Sequence, residues 1–409
     1  MAAQPHNPEA NPAPAPAPAP ARASAQGRGL PAPLRLSLVI HGLSAGGAER
    51  VMNVLADGWA ARGEAVTLIT LDTVASDFYF CDARVTRVGL GVKAESVGAA
   101  SAVYNNFGRV MALRRALRAS RPQVIISFTD RTNVLAILAA AGLGAPVIAC
   151  EHIDPFRHAI GPLWGGLRRL TYPHAGAVVG VTRAAEDFVR RFVRRRPVLT
   201  LPNPIEPPPP PADLPRLWPA GPALIAMGRL DPQKNFPLLI RVFARVAAAH
   251  PDWRLVILGE GPLRAELTAL AAGLGLAGRV HLAGRVADPF THLRRADVFV
   301  MSSDYEGFPM SLLEAMSCGL PVVATDCCTG MREIVRPGED GLLTPVGDAD
   351  ALALALAGLM QDPAQRAKLA AAVPQVCQRF GLIRILGLWD QLFGRVLAGR
   401  GRRAERKVS

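Results

Sequence analysis

The sequence contains few cysteines, few aromatic residues and no long uninterrupted apolar segment. Its six cysteines are scattered among 409 residues without a C-x-x-C pair or a repeated spacing, which argues against a disulfide framework and against a zinc site. The eight histidines show no H-x-x-x-H spacing, so the sequence predicts no metal site built by the protein. These absences favour a reducing compartment, and we predict a cytoplasmic protein.

The most apolar segment covers residues 134–150 and is interrupted by Gly142, Gly144 and Pro146. A buried helix followed by a buried strand explains this segment better than a transmembrane helix does. Residues 1–33 form a Pro/Ala-rich stretch without the apolar core of a secretory signal, and we predict an extended, disordered tail there. The chain is therefore expected to contain no membrane-spanning segment.

Positive charge is concentrated in the first half of the chain. Residues 1–205 contain 23 Lys and Arg against 13 Asp and Glu, whereas residues 206–398 contain 18 against 19. Residues 399–409 add a short basic tail. The first half should therefore face an anionic partner, such as phosphates or acidic lipid headgroups. No nucleic-acid partner is predicted, because the sequence shows neither stacking aromatics nor a motif that recognises bases.

Two arginine-rich stretches, residues 109–121 and 187–197, alternate with apolar residues. In the second stretch, Phe188, Val189 and Phe192 would share one helical face. Such a helix can cover a sheet with one core face and one solvated face, or it can lie on anionic lipid. The second interpretation predicts peripheral contact between the basic N-terminal domain and the inner face of the plasma membrane.

Short apolar runs without polar alternation recur along the chain, separated by stretches of helix length. This pattern predicts an α/β protein whose parallel sheets are covered on both faces. The runs of the first half are residues 34–43, 65–72, 122–128, 145–152 and 175–182. Those of the second half are residues 223–230, 253–261, 279–286, 296–303, 320–326 and 341–347.

A proline-rich segment near the middle of the chain separates the two sets of runs, because such a segment cannot enter a sheet or a helix interior. We predict two facing, doubly wound, Rossmann-like domains, with their ligand site in the cleft at the carboxyl ends of the strands. The predicted divisions are a tail 1–33, an N-terminal domain 34–205, a linker 206–220, a C-terminal domain 221–381, a helix 382–398 that crosses back to the N-terminal domain, and a basic tail 399–409.

The stretch EGFPMSLLEAMSCGLPVVAT, residues 306–325, contains two glutamates eight residues apart beside a Gly-Phe-Pro corner. Glu306 falls in the loop after a predicted strand, and Pro309 suits the first position of a helix. The backbone N–H groups of Met310 and Ser311 would then be free to bind an anion.

Glu314 would lie less than two turns into this helix. A carboxylate there can accept hydrogen bonds from two neighbouring hydroxyls, as acids do for ribose in dinucleotide-binding folds. Gly307 would let the backbone approach a ligand closely. The pattern suits a phosphorylated sugar such as a nucleoside diphosphate. An ordinary strand–helix junction with a surface glutamate and a capping glutamate would fit the same residues.

Other candidate residues follow predicted strands at the same edge. Arg229 and Lys234 could neutralise a diphosphate and stabilise it as a leaving group, or they could lie in a solvated loop. Gly259 belongs to a glycine turn in LGEGP, which alone is weak evidence. His152 ends a strand and could belong to a reaction centre or be a packed residue.

The segments GRLDPQKNF, LGEGP, GRV and EGFPMSLLEAMSCGLPVVATD, in this order, resemble the donor domain of the family 4 glycosyltransferases, which have the GT-B fold. GGAERV near the start and EH at residues 151–152 are similar to members that extend polyprenyl-diphosphate-linked or exopolysaccharide glycans. The resemblance covers about residues 34–398.

The resemblance implies a role for each matching residue on the donor side. Glu314 would hold the donor ribose hydroxyls, and Glu306 would lie beside the transferred sugar and its phosphates. Arg229 and Lys234 would clamp the diphosphate, and Arg285 would lie near the base. The implied donor-binding residues are Gly46, Gly47, Arg229, Lys234, Gly259, Arg285, Glu306, Gly307, Phe308, Pro309, Met310, Ser311 and Glu314.

The implied catalytic residues are His152, Arg229, Lys234 and Glu306. The family retains the anomeric configuration and needs no metal, so no cofactor is expected. Trp389 resembles a residue of the family's crossing helix. We predict a retaining, metal-independent transferase that moves a sugar from a nucleoside-diphosphate sugar, expected to be a UDP-sugar, to a lipid-linked or polysaccharide acceptor.

Five other classes compete with this prediction. A nicotinamide dehydrogenase would need G-x-G-x-x-G, which the segment around Gly46 and Gly47 does not provide. A phosphorylase would be longer and need a pyridoxal lysine, and a GT-A transferase would need a metal-binding D-x-D, whereas residues 348–350 suit a helix N-cap. A GT-B-fold nucleotide-sugar epimerase and a nucleotide-binding module without transfer activity remain as alternatives.

Overall fold

The computed structural model describes residues 33–44, 46–92, 99–153, 156, 160–372 and 374–408, so most of the predicted N-terminal tail lies outside the described residues. These residues form two parallel sheets, of seven and six strands, each flanked by helices. The predicted α/β class with two doubly wound parallel sheets is therefore confirmed.

The first sheet has the strand order β3-β2-β1-β4-β5-β6-β7, and the pairings between its strands are parallel. Its strands are β1 (Arg35–Ile40), β2 (Ala65–Thr70), β3 (Thr86–Gly89), β4 (Val124–Phe128), β5 (Val147–Glu151), β6 (Ala177–Gly180) and β7 (Val198–Thr200). The sequence patterns missed β3 and β7. Both are short edge strands whose residues are mostly only partly buried, so neither carries a continuous apolar run.

The second sheet has the strand order β10-β9-β8-β11-β12-β13, and all six of these strands were predicted. They are β8 (Ala223–Met227), β9 (Arg254–Leu258), β10 (Val280–Gly284), β11 (Val298–Met301), β12 (Val322–Thr325) and β13 (Gly341–Thr344). In the first sheet the strand order changes direction between β1 and β4, and in the second between β8 and β11. Such a change of direction opens a crevice at the carboxyl ends of the strands.

Helices cover both sheets. Those of the first half are α1 (Gly47–Ala61), α2 (Ala99–Ser120), α3 (Asp130–Ala140), α4 (Pro162–Thr171) and α5 (Arg183–Arg190). Those of the second half are α6 (Phe236–Ala247), α7 (Arg264–Gly273), α8 (Pro289–Leu293), α9 (Met310–Ser317), α10 (Thr329–Ile334), α11 (Ala349–Gln361), α12 (Pro363–Ala372), α13 (Pro374–Phe380) and α14 (Leu382–Val408). Asp348 caps α11, as its D-x-D context predicted.

The arginine-rich stretch 187–197 does not form one continuous helix, because α5 ends at Arg190. Val189 and Val193 are buried, and Phe188 lies under the guanidinium of Arg168 at 4.7 Å. The apolar residues of this stretch therefore pack into the domain, as expected of a helix that covers a sheet.

Helix α14 joins the two halves of the molecule. It starts after the second sheet and packs against α1 of the first, where the rings of Trp389 and Trp59 meet edge to face at 5.6 Å. Asp390 forms an ion pair with Arg62 nearby. The helix also continues beyond residue 398 to Val408, through most of the predicted basic tail.

The chain passes between the domains at two places, and these lie side by side. Ile205, at the end of the first domain, accepts a hydrogen bond from the backbone of Leu382 at 3.0 Å and donates one to Phe380 at 2.8 Å. One apolar cluster extends through this region and includes Trp59, Phe308 and Trp389. None of the helices that the structure describes is both long enough and apolar enough to cross a membrane.

Candidate active site

Two glycine-rich loops at the carboxyl ends of β8 and β9 are locked together by their backbones. The N–H of Gly228 donates to the carbonyl of Leu258 at 3.0 Å. Gly259 has φ +150°, and a Cβ on it would lie 1.8 Å from the carbonyl oxygen of Gly228. A Cβ on Gly261 would lie 2.4 Å from the carbonyl oxygen of Leu230. Only glycines permit this close approach, which fixes the loop that carries Lys234.

Lys234 and Glu306 meet at this edge of the sheet. The Lys234 ammonium Nζ lies 2.5 Å from Glu306 Oε1, and the hydroxyl of Ser303 donates to the same oxygen at 2.7 Å. Asn235, in the left-handed region at φ 46°, caps α6 directly after Lys234. The structure thus brings these two predicted residues into one largely buried ion pair. Ser303 orients the Glu306 carboxylate, and the cap at Asn235 fixes the backbone after Lys234.

Arg229 is arranged differently from Lys234. Its side chain is 71% exposed and pairs with Asp231 at 2.6 Å. Arg285 is also exposed and lies over the ring of Phe78 of the first domain at 5.1 Å. Both arginines are therefore at the edge of the cleft, whereas Lys234 is inside it.

Helix α9 begins at Met310, one residue later than the sequence predicted, and Pro309 precedes it as the N-cap residue. Glu314 is buried in this helix and forms an ion pair with Arg50 of α1, across the cleft. Burial raises the pKa of the Glu314 carboxyl, and the charge on Arg50 partly offsets this rise. The Arg50 guanidinium also lies 5.4 Å from the ring of Phe290. The carboxylate that we predicted to bind ribose therefore also pairs with an arginine of the opposite domain.

The two domains touch at the Gly-Phe-Pro corner. A Cβ on Gly307 would lie 2.2 Å from the carbonyl oxygen of His152, so this glycine allows the backbones of the two domains to meet. The side-chain amide of Asn203 donates to the carbonyl of Phe308 at 3.3 Å. A Cβ on Gly47 would stand 3.8 Å from the side chain of Met310.

His152 is enclosed beside this contact. Its ring lies 3.8 Å from that of Phe128, and neither of its nitrogens has a hydrogen-bond partner among the described residues. Burial lowers the pKa of His152 to about 3, and the nearby Glu49 carboxylate only partly opposes this shift. The imidazole is therefore neutral at physiological pH. It can supply a hydrogen bond to a ligand but carries no charge.

Sequence reasoning missed several residues of the site. Arg50 stands in the quoted GGAERV segment, which drew attention only to its glycines. Glu49 of the same segment is buried and accepts from Ser44 at 2.9 Å. A Cβ on Gly46 would lie 2.3 Å from Glu49, so this glycine makes room for that carboxylate. The two charged residues that directly follow the glycines, in the first turn of α1, were the available signal.

Comparisons with known proteins identify the family. The family model described as "Glycosyl transferase 4-like domain" matches residues 46–204. The model described as "Glycosyl transferases group 1" matches residues 219–376. The chain belongs to the family 4 glycosyltransferases. The two matches together cover every described strand except β1, together with the candidate site, so the resemblance seen in the short motifs is confirmed.

Two curated relatives of this glycosyltransferase carry informative names. A Campylobacter jejuni GalNAc-α-(1→4)-GalNAc-α-(1→3)-diNAcBac-PP-undecaprenol α-1,4-N-acetyl-D-galactosaminyltransferase is 28% identical, over 89% of this chain and 99% of that protein. A Streptomyces coelicolor exopolysaccharide phosphotransferase is 33% identical, over 70% of this chain but only 30% of that protein.

Solved structures agree on the fold of this glycosyltransferase. Sucrose-phosphate synthase from Thermosynechococcus elongatus matches with a TM-score of 0.74 and 21% identity, over 90% of this chain and all of that one. Anabaena HepE in complex with UDP matches with a TM-score of 0.69 and 18% identity, over the same shares. At these identities the likeness establishes the GT-B arrangement of two domains.

Proposed function

We propose that this glycosyltransferase moves a sugar from a UDP-sugar to a lipid-linked or polysaccharide acceptor, with retention of configuration and without a metal ion. The observation that carries the proposal is the Lys234–Glu306 pair, 2.5 Å apart at the carboxyl edge of the second sheet. A relative named for a PP-undecaprenol substrate supports the acceptor class, and a similar fold solved with UDP supports the donor.

The proposed reaction requires that a nucleoside diphosphate leave the donor sugar. Lys234 would place its positive charge beside the diphosphate and stabilise the negative charge that develops there, with Arg229 closing over it from the cleft edge. Neutral His152 would offer a hydrogen bond to the transferred sugar. The acceptor hydroxyl would attack from the face that the diphosphate leaves, so no covalent intermediate on the protein is required.

Glu314 is proposed to accept the ribose hydroxyls. Arg50 contacts one oxygen of this carboxylate, and the ribose would share the group with it. Because Arg50 belongs to the first domain, donor binding and the closed arrangement of the domains would depend on the same carboxylate. The reaction would take place on the cytoplasmic side of a membrane that holds the acceptor, with the basic N-terminal domain facing its lipids.

The decisive experiment is calorimetric binding of UDP, GDP, ADP and NAD to the wild type and to Glu314→Ala. We expect one nucleoside diphosphate to bind, with an affinity at least about tenfold weaker in the variant, as loss of hydrogen bonds to a charged group implies. Binding of no diphosphate, or binding that ignores the substitution, would overturn the donor site.

Turnover assays complete the test. Transfer from the matching nucleotide sugar should survive EDTA, and the product should keep the donor's anomeric configuration by NMR. Incubation of the enzyme with the nucleotide sugar but without an acceptor should leave the sugar unchanged. Its conversion into a stereoisomer would favour the epimerase alternative.

A further inference from the structure

The loop that follows β2 reaches from the first domain to the second. Residues 78–80 of this loop are Phe-Tyr-Phe, three consecutive aromatic residues in a chain that contains few of them. The ring of Phe78 lies 5.1 Å from the guanidinium of Arg285, which directly follows β10 of the second domain. The motifs of the family resemblance do not include this loop.

Hydrogen bonds hold the start of the loop. Arg87 of β3 donates to both carboxylate oxygens of Asp77 at 2.8 Å, and both side chains are largely buried. The backbone N–H of Phe78 then donates to the carbonyl of Leu43 at 2.8 Å. A bidentate contact between an arginine and a carboxylate fixes geometry as well as adding energy. The backbone is therefore fixed at the point where the Phe78 ring leaves it.

Helix α1 holds the loop after the aromatic residues. The side-chain amide of Asn53 donates to the carbonyl of Phe80 at 3.3 Å and accepts from the thiol of Cys81 at 3.0 Å. Phe78 and Tyr79 therefore project from a segment that is held on both sides, and their rings meet edge to face at 5.1 Å. Rings that are already ordered lose little conformational entropy when a ligand packs on them.

The two rings lie along residues that are assigned to the donor. The Tyr79 ring lies 5.8 Å from the guanidinium of Arg50, and Arg50 forms the ion pair with Glu314. Phe78 lies against Arg285. The pair of rings therefore extends from the neighbourhood of the proposed ribose carboxylate to the edge strand of the second sheet.

The base of a bound nucleotide would lie on the same side. Lys234 and Glu306, the proposed diphosphate residues, follow β8 and β11, whereas Arg285 follows β10, two strands away from β8. Two strand spacings amount to roughly 10 Å. With the diphosphate at β8 and β11 and the ribose on Glu314, the base is the part of the nucleotide that extends towards Arg285.

The groups at this place are ones on which bases stack. In complexes of proteins with single-stranded nucleic acid, bases stack on aromatic side chains and on the flat guanidinium of arginine. Every base has a π face, so such a contact does not require a particular base. Phe78 and Arg285 supply one group of each kind, from opposite domains.

We propose that Phe78 stacks on the base of the donor nucleotide, and that the first domain thereby supplies one wall of a base pocket whose other wall carries Arg285. This inference rests on the proposed donor site. It makes base binding depend on the closed arrangement of the domains, because the two walls belong to different domains. The donor would then bind both domains at once.

The first test is calorimetric binding of UDP to the full chain. We expect Phe78→Ala to weaken binding roughly ten- to hundredfold, as loss of one stack between a base and an aromatic ring implies. Phe78→Trp should stay within about threefold of wild type, because an indole also stacks on a base. Phe80→Ala removes the neighbouring ring, which is 81% exposed, and is the matched control. It should change binding less than about twofold.

Ribose 5-phosphate, which has no base, separates stacking from a general change of the site. Its affinity should change less than about twofold in Phe78→Ala, because it makes no stack to lose. Equal weakening of ribose 5-phosphate and UDP would show that the ring only supports the contact between the domains, and would overturn the proposal. So would UDP binding within about twofold of wild type in Phe78→Ala, or equal weakening by Phe80→Ala.

Fluorescence gives a second readout that does not depend on how well Phe78→Ala folds. The emission of the indole introduced by Phe78→Trp is measured as the difference from the wild-type protein. UDP should quench this emission, because a stacked base lies directly against the indole. Binding of UDP to this variant without quenching would place the base elsewhere and overturn the proposal.

The same titrations distinguish this inference from the proposed function. If UDP binding depends on Glu314 but not on Phe78, the donor site stands and the stacking role fails. If it depends on Phe78 but not on Glu314, the ribose assignment fails and the stacking role stands. If none of UDP, GDP and ADP binds to the wild type, both fail together.

Discussion

The two sides of the cleft are built in different ways. In the second domain, backbone contacts between glycine loops hold Lys234 and Glu306 together. In the first domain, the facing side chains come from separate elements, with Arg50 on α1 and His152 after β5. A surface made of loops with fixed backbone shape leaves a short sequence motif, whereas one assembled from separate elements does not.

Lys234→Ala tests the second domain's side of the cleft most strongly. Loss of one preorganised charge at the leaving group should lower kcat by about 10²–10³-fold. The measurement is the initial rate of transfer at saturating donor. Lys368→Ala, which removes an exposed lysine of α12, should keep the wild-type rate. A rate for Lys234→Ala within threefold of wild type would show that the diphosphate leaves without this cation.

Arg50→Met tests the ion pair that connects the two sides. It leaves the buried Glu314 carboxylate without its cation and should lower the free energy of unfolding by about 3 kcal/mol, measured by chemical denaturation. Adding Glu314→Gln should restore most of this loss. Arg245→Met breaks an exposed pair with Asp350 and should cost less than about 1 kcal/mol. Equal losses in the two single variants would contradict a special role for the Arg50 pair.

Gly307→Ala tests the backbone contact between the sides. The added Cβ would collide with the carbonyl of His152, so the domains must separate locally. Because displacement of reacting groups by about 1 Å can cost 10²-fold, we expect transfer to fall by about that factor. Gly273→Ala in α7, where a Cβ meets nothing within 4 Å, is the control and should leave transfer unchanged. Full activity of Gly307→Ala would show that the closed contact is dispensable.

The burial of His152 in the first domain can be tested through acid stability. His152 has a pKa of about 3 in the fold and about 6.5 when unfolded, so only the unfolded chain takes up this proton between those values. The free energy of unfolding should therefore fall by about 2 kcal/mol from this group as the pH drops from 7.5 to 5. His152→Gln should show a smaller drop over that range. An identical pH profile in wild type and variant would place the group in contact with water.

The sequence predicted the second sheet well because its signals are local. Six strands of the second sheet, the loops after them and the two glutamates all occupy short, continuous segments. The contacts between these residues could not be predicted from the sequence. Nothing in the spacing of Lys234 and Glu306 indicates that they pair, because the pair depends on how β8 and β11 lie side by side.

The first domain was predicted less completely, and the reasons are physical. Strands β3 and β7 lie at sheet edges, where partial burial permits polar residues and hides the apolar pattern. Arg50 acquires its role only when α1 faces α9 of the other domain.

The paired hydrogen bonds between Ile205 and the backbone around Gly381 also constrain how the enzyme can move. Because both covalent crossings of the chain are joined at this point, one domain cannot slide along the other without breaking them. We therefore expect any separation of the domains to be a rotation about a pivot near Ile205, with displacements that grow with distance from it. Residues at the far rim of the cleft would then move farther than those beside Ile205.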